Sequence, residues 1–145
     1  MKIRNKIKFF LLNHPYVNPY RFTKERFIRN LTKNKRLFPD FLIIGYHKAG
    51  TTSLYDYLVQ FENIGSAQKK EVQFFALSYW RGLQWYRTFF PTNLTKKKIE
   101  MKTNEKFITG EASPYYIFHP LSLERIHKTL PDIKLILVLR NPVDR

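Results

Sequence analysis

The run Phe41-Leu42-Ile43-Ile44, closed by Gly45 and followed by a segment of helical periodicity, constrains the fold of this chain more than any other feature. A short unbroken apolar run is what a strand buried on both faces requires, and the glycine marks where it ends. After a polar loop, Ser53 to Phe61 places Leu54, Tyr57, Leu58 and Phe61 on one helical face. The segment reads as strand, loop, helix, the opening of a parallel layered α/β structure.

The rest of the chain continues the alternation. Gln68 to Phe75 reads as a loop or short extended segment, and Tyr79 to Phe90 as an aromatic-rich helix stopped by Pro91. Thr92 to Lys106 is polar and lysine-rich, which predicts a surface connection, and Lys106 to Glu111 a short strand. Pro120 to Leu130 reads as a helix with Leu121, Leu123, Ile126 and Leu130 inward, and Ile133 to Leu139 as an apolar strand. The expected fold is an α/β, P-loop-like three-layer domain, a parallel β-sheet flanked by helices on both faces.

Charge divides the chain unevenly. Residues 1–39 hold eleven Lys/Arg and one acid, a net +10, whereas residues 40–145 hold fifteen and ten, a net +5 of the total +15. The leader interleaves these cations with Phe9, Phe10, Tyr16, Tyr20, Phe22 and Phe27, a composition that suits RNA, an acidic membrane surface or a polyanionic sugar. No cysteine is present, which excludes disulfides, thiolate metal sites and a cysteine nucleophile. The early apolar run Phe9 to Leu12 is far short of the ~20 residues of a membrane span, so neither a transmembrane helix nor a signal peptide is expected. Two sequons, at Asn30 and Asn93, read as chance occurrences, and His119 and His127 as a loop and a helix-surface residue.

The chemistry concentrates in the loop Gly45-Tyr46-His47-Lys48-Ala49-Gly50-Thr51-Thr52-Ser53. Glycines at both ends let successive backbone N–H groups face inward, the following helix adds its positive end, and three hydroxyl residues supply donors and a helix cap. This is a cradle for a phosphate-like anion. A triphosphate-binding loop carries lysine directly after its second glycine, where this chain has Thr51; Lys48 comes two residues before Gly50. A P-loop kinase or NTPase is the alternative enzyme class, and a non-catalytic module binding polyanions through residues 1–39 the alternative outside enzymes.

Pro39-Asp40-Phe41-Leu42-Ile43-Ile44-Gly45 followed by Lys48-Ala49-Gly50-Thr51-Thr52-Ser53-Leu54 resembles the 5′-phosphosulfate loop of sulfotransferases that use 3′-phosphoadenosine 5′-phosphosulfate (PAPS). Within that superfamily the sequence is most similar to the carbohydrate branch typified by heparan sulfate sulfotransferases. Three further segments carry the likeness: Lys70-Glu71-Val72-Gln73-Phe74-Phe75, then Gly82-Leu83-Gln84-Trp85-Tyr86 up to Pro91, and Gly110-Glu111-Ala112-Ser113-Pro114-Tyr115-Tyr116. The stretch Leu139-Arg140-Asn141-Pro142-Val143-Asp144-Arg145 resembles the start of the family's 3′-phosphate motif. Order and spacing together make the likeness specific, from Pro39 to Arg145.

The resemblance implies a transferase that moves a sulfuryl group from PAPS, as co-substrate and without a metal, to a hydroxyl or amine of a glycan or other carbohydrate. Lys48 matches the lysine that neutralises the leaving phosphate, with Ala49, Gly50, Thr51, Thr52 and Ser53 holding the phosphosulfate. Glu71 matches the general base of the glycan-sulfating relatives, and Arg140 the arginine on the 3′-phosphate. Ala112 stands where some heparan-type enzymes have lysine and Gln73 where they have histidine, so the acceptor stays open. The resemblance further implies that residues 1–38 form a basic N-terminal extension and residues 39–145 the N-terminal part of a longer sulfotransferase domain. A cytoplasmic protein is expected, or one of the Golgi lumen if the chain is part of a eukaryotic secretory protein, contacting no nucleic acid, with peripheral membrane contact through the basic N-terminus left open.

Overall fold

The computed structural model describes residues 27–29 and 31–141, which fall into two units divided between Thr32 and Lys33. Residues 27–29 and 31–32 are helical. Most of the basic leader, the sequon asparagine Asn30 and the four residues from Pro142 to Arg145 lie outside the described residues. No helix among the described residues is long and apolar enough to cross a membrane.

The larger unit is built on four parallel strands, β1 (Phe41–Gly45), β2 (Ile64–Ser66), β3 (Ile108–Ala112) and β4 (Lys134–Val138), in the order β2-β3-β1-β4. Its α-helices are α1 (Thr51–Leu58), α2 (Leu83–Arg87), α3 (Asn93–Thr103) and α4 (Ser122–Thr129). β1 is central and all five of its residues are buried, as an apolar run without alternation demands. Phe41 and Ile43 face α1 with Tyr55 and Ala112, while Leu42 and Ile44 face an aromatic layer containing Phe74, Phe75, Tyr86, Phe90 and Tyr116, with Ile126 of α4. The predicted α/β three-layer arrangement with a parallel sheet is the observed one.

Several local expectations are corrected. α1 turns Tyr55 inward, with Leu54 and Leu58 packed beside it, and leaves Tyr57 and Phe61 largely exposed; the helix ends at Leu58, so Phe61 lies beyond it and off the expected face. The predicted helix over Tyr79–Phe90 is broken at Gly82 into a 3₁₀ turn, Tyr79–Arg81, and the short α2; a π-helical turn, Phe74–Ser78, precedes them. The lysine-rich connection is helix α3, whose first turn is capped by Thr92 Oγ1 accepting from Thr95 N–H at 3.2 Å. In α4 only Ile126 of the expected apolar face is fully inward, with Leu121 and Leu123 exposed. The expected apolar strand is β4, which stands at the edge of the sheet among the described residues with Leu135 and Leu137 half exposed.

Candidate active site

The loop at the carboxyl end of β1 is shaped by its neighbours before any ligand is considered. Gly45 has φ 145°, and a Cβ there would lie 2.1 Å from the Val138 carbonyl oxygen, so only glycine lets β1 pass β4 at this point. Tyr46 N–H then donates to that same carbonyl at 3.2 Å, and Ala49 N–H closes a turn onto Tyr46 O at 3.2 Å. Phe118 stacks on His47 and meets Tyr46 edge-on, at centroid distances of 5.9 and 4.8 Å. The chain enters α1 through Gly50, at φ 98°, with open space where a side chain would stand.

Gly50, not a hydroxyl residue, occupies the cap position of α1, which corrects the expectation that Thr51 to Ser53 cap the helix. No side chain occupies the cap position, so the first-turn amides of α1 have no side-chain acceptor from it. Thr51 is buried, whereas Thr52 and Ser53 are exposed, and Lys48 is exposed in a left-handed backbone conformation, φ 62°. Of the predicted phosphosulfate residues, these place Lys48, Thr52 and Ser53 outward, with Ala49 serving the turn. Arg140 is exposed just past β4, whose register pairs Val138 with Gly45; the loop and Arg140 thus share the carboxyl edge of the sheet, where open α/β sheets take ligands.

The segment bearing Glu71 is tied to this cradle. Lys70 Nζ donates to Thr52 Oγ1 at 2.6 Å, bridging to the first turn of α1. Glu71 lines an open cleft of about 320 Å³ with Lys69, Lys70, Val72, Gln73, Leu77 and Ser78, and its Oε2 accepts from Gln73 Nε2 at 3.3 Å. Lys48 and Arg140 stand outside that cleft. Among the described residues, four non-glycine residues have positive φ; Lys48, Glu71 and Gln73 are three of them. Each such backbone costs about 1–3 kcal/mol, and strain of this kind persists where surrounding contacts over-determine it.

Beneath the cleft lies a group that the sequence reading passed over. Glu111, next to the last residue of β3, has no exposed surface. Its Oε1 accepts from the hydroxyls of Tyr86 and Tyr116, both at 2.7 Å, and its Oε2 from Ser113 Oγ at 2.8 Å and Val72 N–H at 3.0 Å. Burial raises the Glu111 carboxyl above the ordinary carboxylate range, and the four hydrogen bonds oppose that rise. Burial, followed by the neighbouring Glu111 charge, pushes the Tyr86 and Tyr116 phenols well up. A charged residue inside a buried strand, with Ser113 and Tyr116 close by, was the signal available in the sequence, since such a group needs partners. Among the described residues, no group of three His, Cys, Asp or Glu side chains is arranged to hold a metal ion.

The sulfotransferase domain family, by its sequence profile, matches residues 38–145. The membrane-associated sulfotransferase kil1 of Dictyostelium discoideum is 40% identical over 107 residues, covering 74% of this chain and 21% of its own length. Human heparan sulfate glucosamine 3-O-sulfotransferase 6 is 40% identical over 111 residues, 77% of this chain and 29% of its own. The bifunctional heparan sulfate N-deacetylase/N-sulfotransferase of Drosophila melanogaster is 34% identical over 146 residues, covering 88% and 13% respectively. A crystal structure of a sulfotransferase from Alicyclobacillus acidocaldarius superposes with a TM-score of 0.53 at 32% identity, over 74% of this chain and 47% of that one. The chain therefore spans less than half the length of each of these proteins.

Proposed function

From the premise that this chain belongs to the sulfotransferase domain family, we propose that its protein transfers a sulfuryl group from PAPS to a hydroxyl or amine of a carbohydrate. Residues 39–145 are then the N-terminal part of the catalytic domain and residues 1–38 a basic extension. The observation that carries the reading is the Lys70–Thr52 hydrogen bond, which joins the anion cradle after β1 to the cleft holding Glu71. Donor and acceptor chemistry thereby fall to adjoining parts of one surface.

The residues present suit a phosphosulfate: a glycine-entered helix start, exposed hydroxyls on Thr52 and Ser53, and an exposed lysine in the preceding turn. PAPS supplies an activated sulfuryl group whose departure leaves charge on a phosphate. Lys48 Nζ neutralises that charge, and the amides and hydroxyls of residues 50–53 orient the phosphosulfate without having to reorganise. Glu71 accepts the proton of the acceptor hydroxyl or amine at a carboxylate oxygen. Arg140 offers a guanidinium fork to the 3′-phosphate. The names of the relatives point to glycans bearing glucosamine as the first acceptors to try.

Lys48→Ala in the complete protein tests the donor half of this reading. Turnover with PAPS should fall by roughly two to three orders of magnitude, the scale for losing one preorganised charge-stabilising donor, with weaker nucleotide binding as a lesser effect. Use of ATP and magnesium with no use of PAPS would overturn the assignment.

A further inference from the structure

Glu111 divides its hydrogen bonds evenly between two environments. Oε1 is held by Tyr86 and Tyr116, which belong to the fully buried aromatic layer on β1. Oε2 receives Val72 N–H directly, and it receives Ser113 Oγ, which in turn accepts Gln73 N–H at 3.2 Å. Both amides that follow Glu71 in the chain are thus anchored to a single carboxylate. Ser113 is itself fixed to the central strand, its N–H donating to Ile43 O at 3.0 Å.

That anchored segment is the one whose backbone would otherwise relax. Glu71 and Gln73 both lie in the left-handed region, at φ 54° and 52°, on either side of Val72, whose side chain is buried. A buried carboxylate is a costly way to fill space, and an apolar residue of the same volume would pack there more cheaply. Its four-acceptor capacity, matched by four donors, is what an apolar residue lacks.

We propose that Glu111 is the positioning residue for Glu71: it clamps the Val72 amide itself and the Gln73 amide through Ser113, and so fixes the direction in which Glu71 enters the cleft. The proposal rests on the reading of Glu71 as proton acceptor. Glu111 touches no reacting atom; it acts by holding the strained turn in the one conformation that presents Glu71 beside the Lys70–Thr52 bridge.

The test uses the complete protein, with amide hydrogen exchange and steady-state kinetics on PAPS and a polysaccharide acceptor. Glu111→Met removes all four acceptor sites at nearly constant volume. Exchange at Val72 and Gln73 should rise about 10-fold or more, while the amides of β1 keep their protection. The turnover rate should fall roughly 10–100-fold, with the Michaelis constant for PAPS changed less than about 3-fold, because a misaimed base affects the reaction and not donor binding. Glu111→Gln should restore most of this, since the amide oxygen can still accept from Val72 while its NH₂ donates to the tyrosine hydroxyls. In a Glu71→Gln background, Glu111→Met should cost less than about 2-fold more, as a residue acting through Glu71 must. Should Glu111→Met fail to fold, Ser113→Ala, which severs only the Gln73 link, is judged on the same readouts with a smaller loss.

Equal fractional losses in both backgrounds, or unchanged exchange at Val72 and Gln73 while Glu71→Gln is inactive, would overturn the positioning role alone. Full turnover by Glu71→Gln would overturn the reading of Glu71 and, with it, the task assigned to Glu111.

Discussion

Replacing Gly45 by alanine should be among the most damaging single changes in the chain, although it adds one methyl group. The new Cβ would lie 2.1 Å from the carbonyl oxygen of Val138, 2.9 Å from its carbonyl carbon and 3.0 Å from its nitrogen. All three are backbone atoms, so no side chain can turn aside, and β1 and β4 would have to part by about 1 Å or more to reach normal contact. Three costs combine: about 1–2 kcal/mol for an L-residue at φ 145°, about 1 kcal/mol for the strained Tyr46–Val138 hydrogen bond, and about 1–3 kcal/mol for overpacking. Together they come to about 3–6 kcal/mol. Gly50→Ala is the control, since φ there is 98° but nothing lies within 4 Å of the added atom; it should cost only about 1–2 kcal/mol. Urea unfolding followed by circular dichroism separates the two, because with m near 1–3 kcal/mol/M the Gly45→Ala midpoint should drop by at least about 1 M. A Gly45→Ala protein within about 1 kcal/mol of wild type, or one no less stable than Gly50→Ala, would refute this reasoning.

Two further outcomes follow from the buried layer. Tyr86 and Tyr116 have phenol pKa values pushed well up by burial, so the unfolded chain loses those protons first; the stability they contribute is complete below about pH 10 and is lost as pH rises beyond it. Stability should fall by up to about 1.4 kcal/mol per pH unit for each phenol, and tyrosinate absorbance from these two should appear only together with loss of circular dichroism; ionisation within a still-folded protein would contradict this. Phe74→Ala removes a fully buried ring stacked on Tyr86 at 4.4 Å and touching Phe75 edge-on, and should cost about 3–5 kcal/mol by urea unfolding. A loss below about 1 kcal/mol would mean that the aromatic layer repacks.

The legible parts of the fold were those where pattern and burial coincide. Phe41 to Ile44 announced β1 because a strand buried on both faces tolerates no polar residue, and Gly45 marked its end. β2 was not legible: Ile64-Gly65-Ser66 is three residues long and carries no period. α3 was hidden for a different reason, since its stretch of Lys96, Lys97 and Lys98 offers no apolar stripe, and the helix is specified by the Thr92 cap and the left-handed Asn104 at its end. β4 was legible from its uniform apolarity, although at the edge of the described sheet Leu135 and Leu137 are half exposed. At the site, the turn from Gly45 to Gly50 was legible because its glycines stand between an apolar strand and a helical pattern, whereas the capping of α1 by Gly50 instead of a hydroxyl residue was not. The clamp on the Glu71 segment was not, because although Ser113 and Tyr116 lie close to Glu111 in sequence, the Val72 and Gln73 amides and Tyr86 reach it only through the fold, over separations of 25 to 40 residues that no local pattern records.

The central claim is that Glu71 draws a proton from a carbohydrate acceptor while the loop after β1 holds the sulfuryl donor. It is tested most directly by measuring transfer of labelled sulfuryl from PAPS to a panel of polysaccharides, for the complete protein and its Glu71→Gln variant. Glutamine keeps the shape of the side chain and removes its basicity. PAPS affinity should therefore stay within a few-fold while the transfer rate on the best acceptor falls roughly 10²–10⁴-fold, the range for a positioned general base. Near-normal transfer by Glu71→Gln would contradict the account and leave Glu71 as an ordinary solvated charge at the mouth of the cleft.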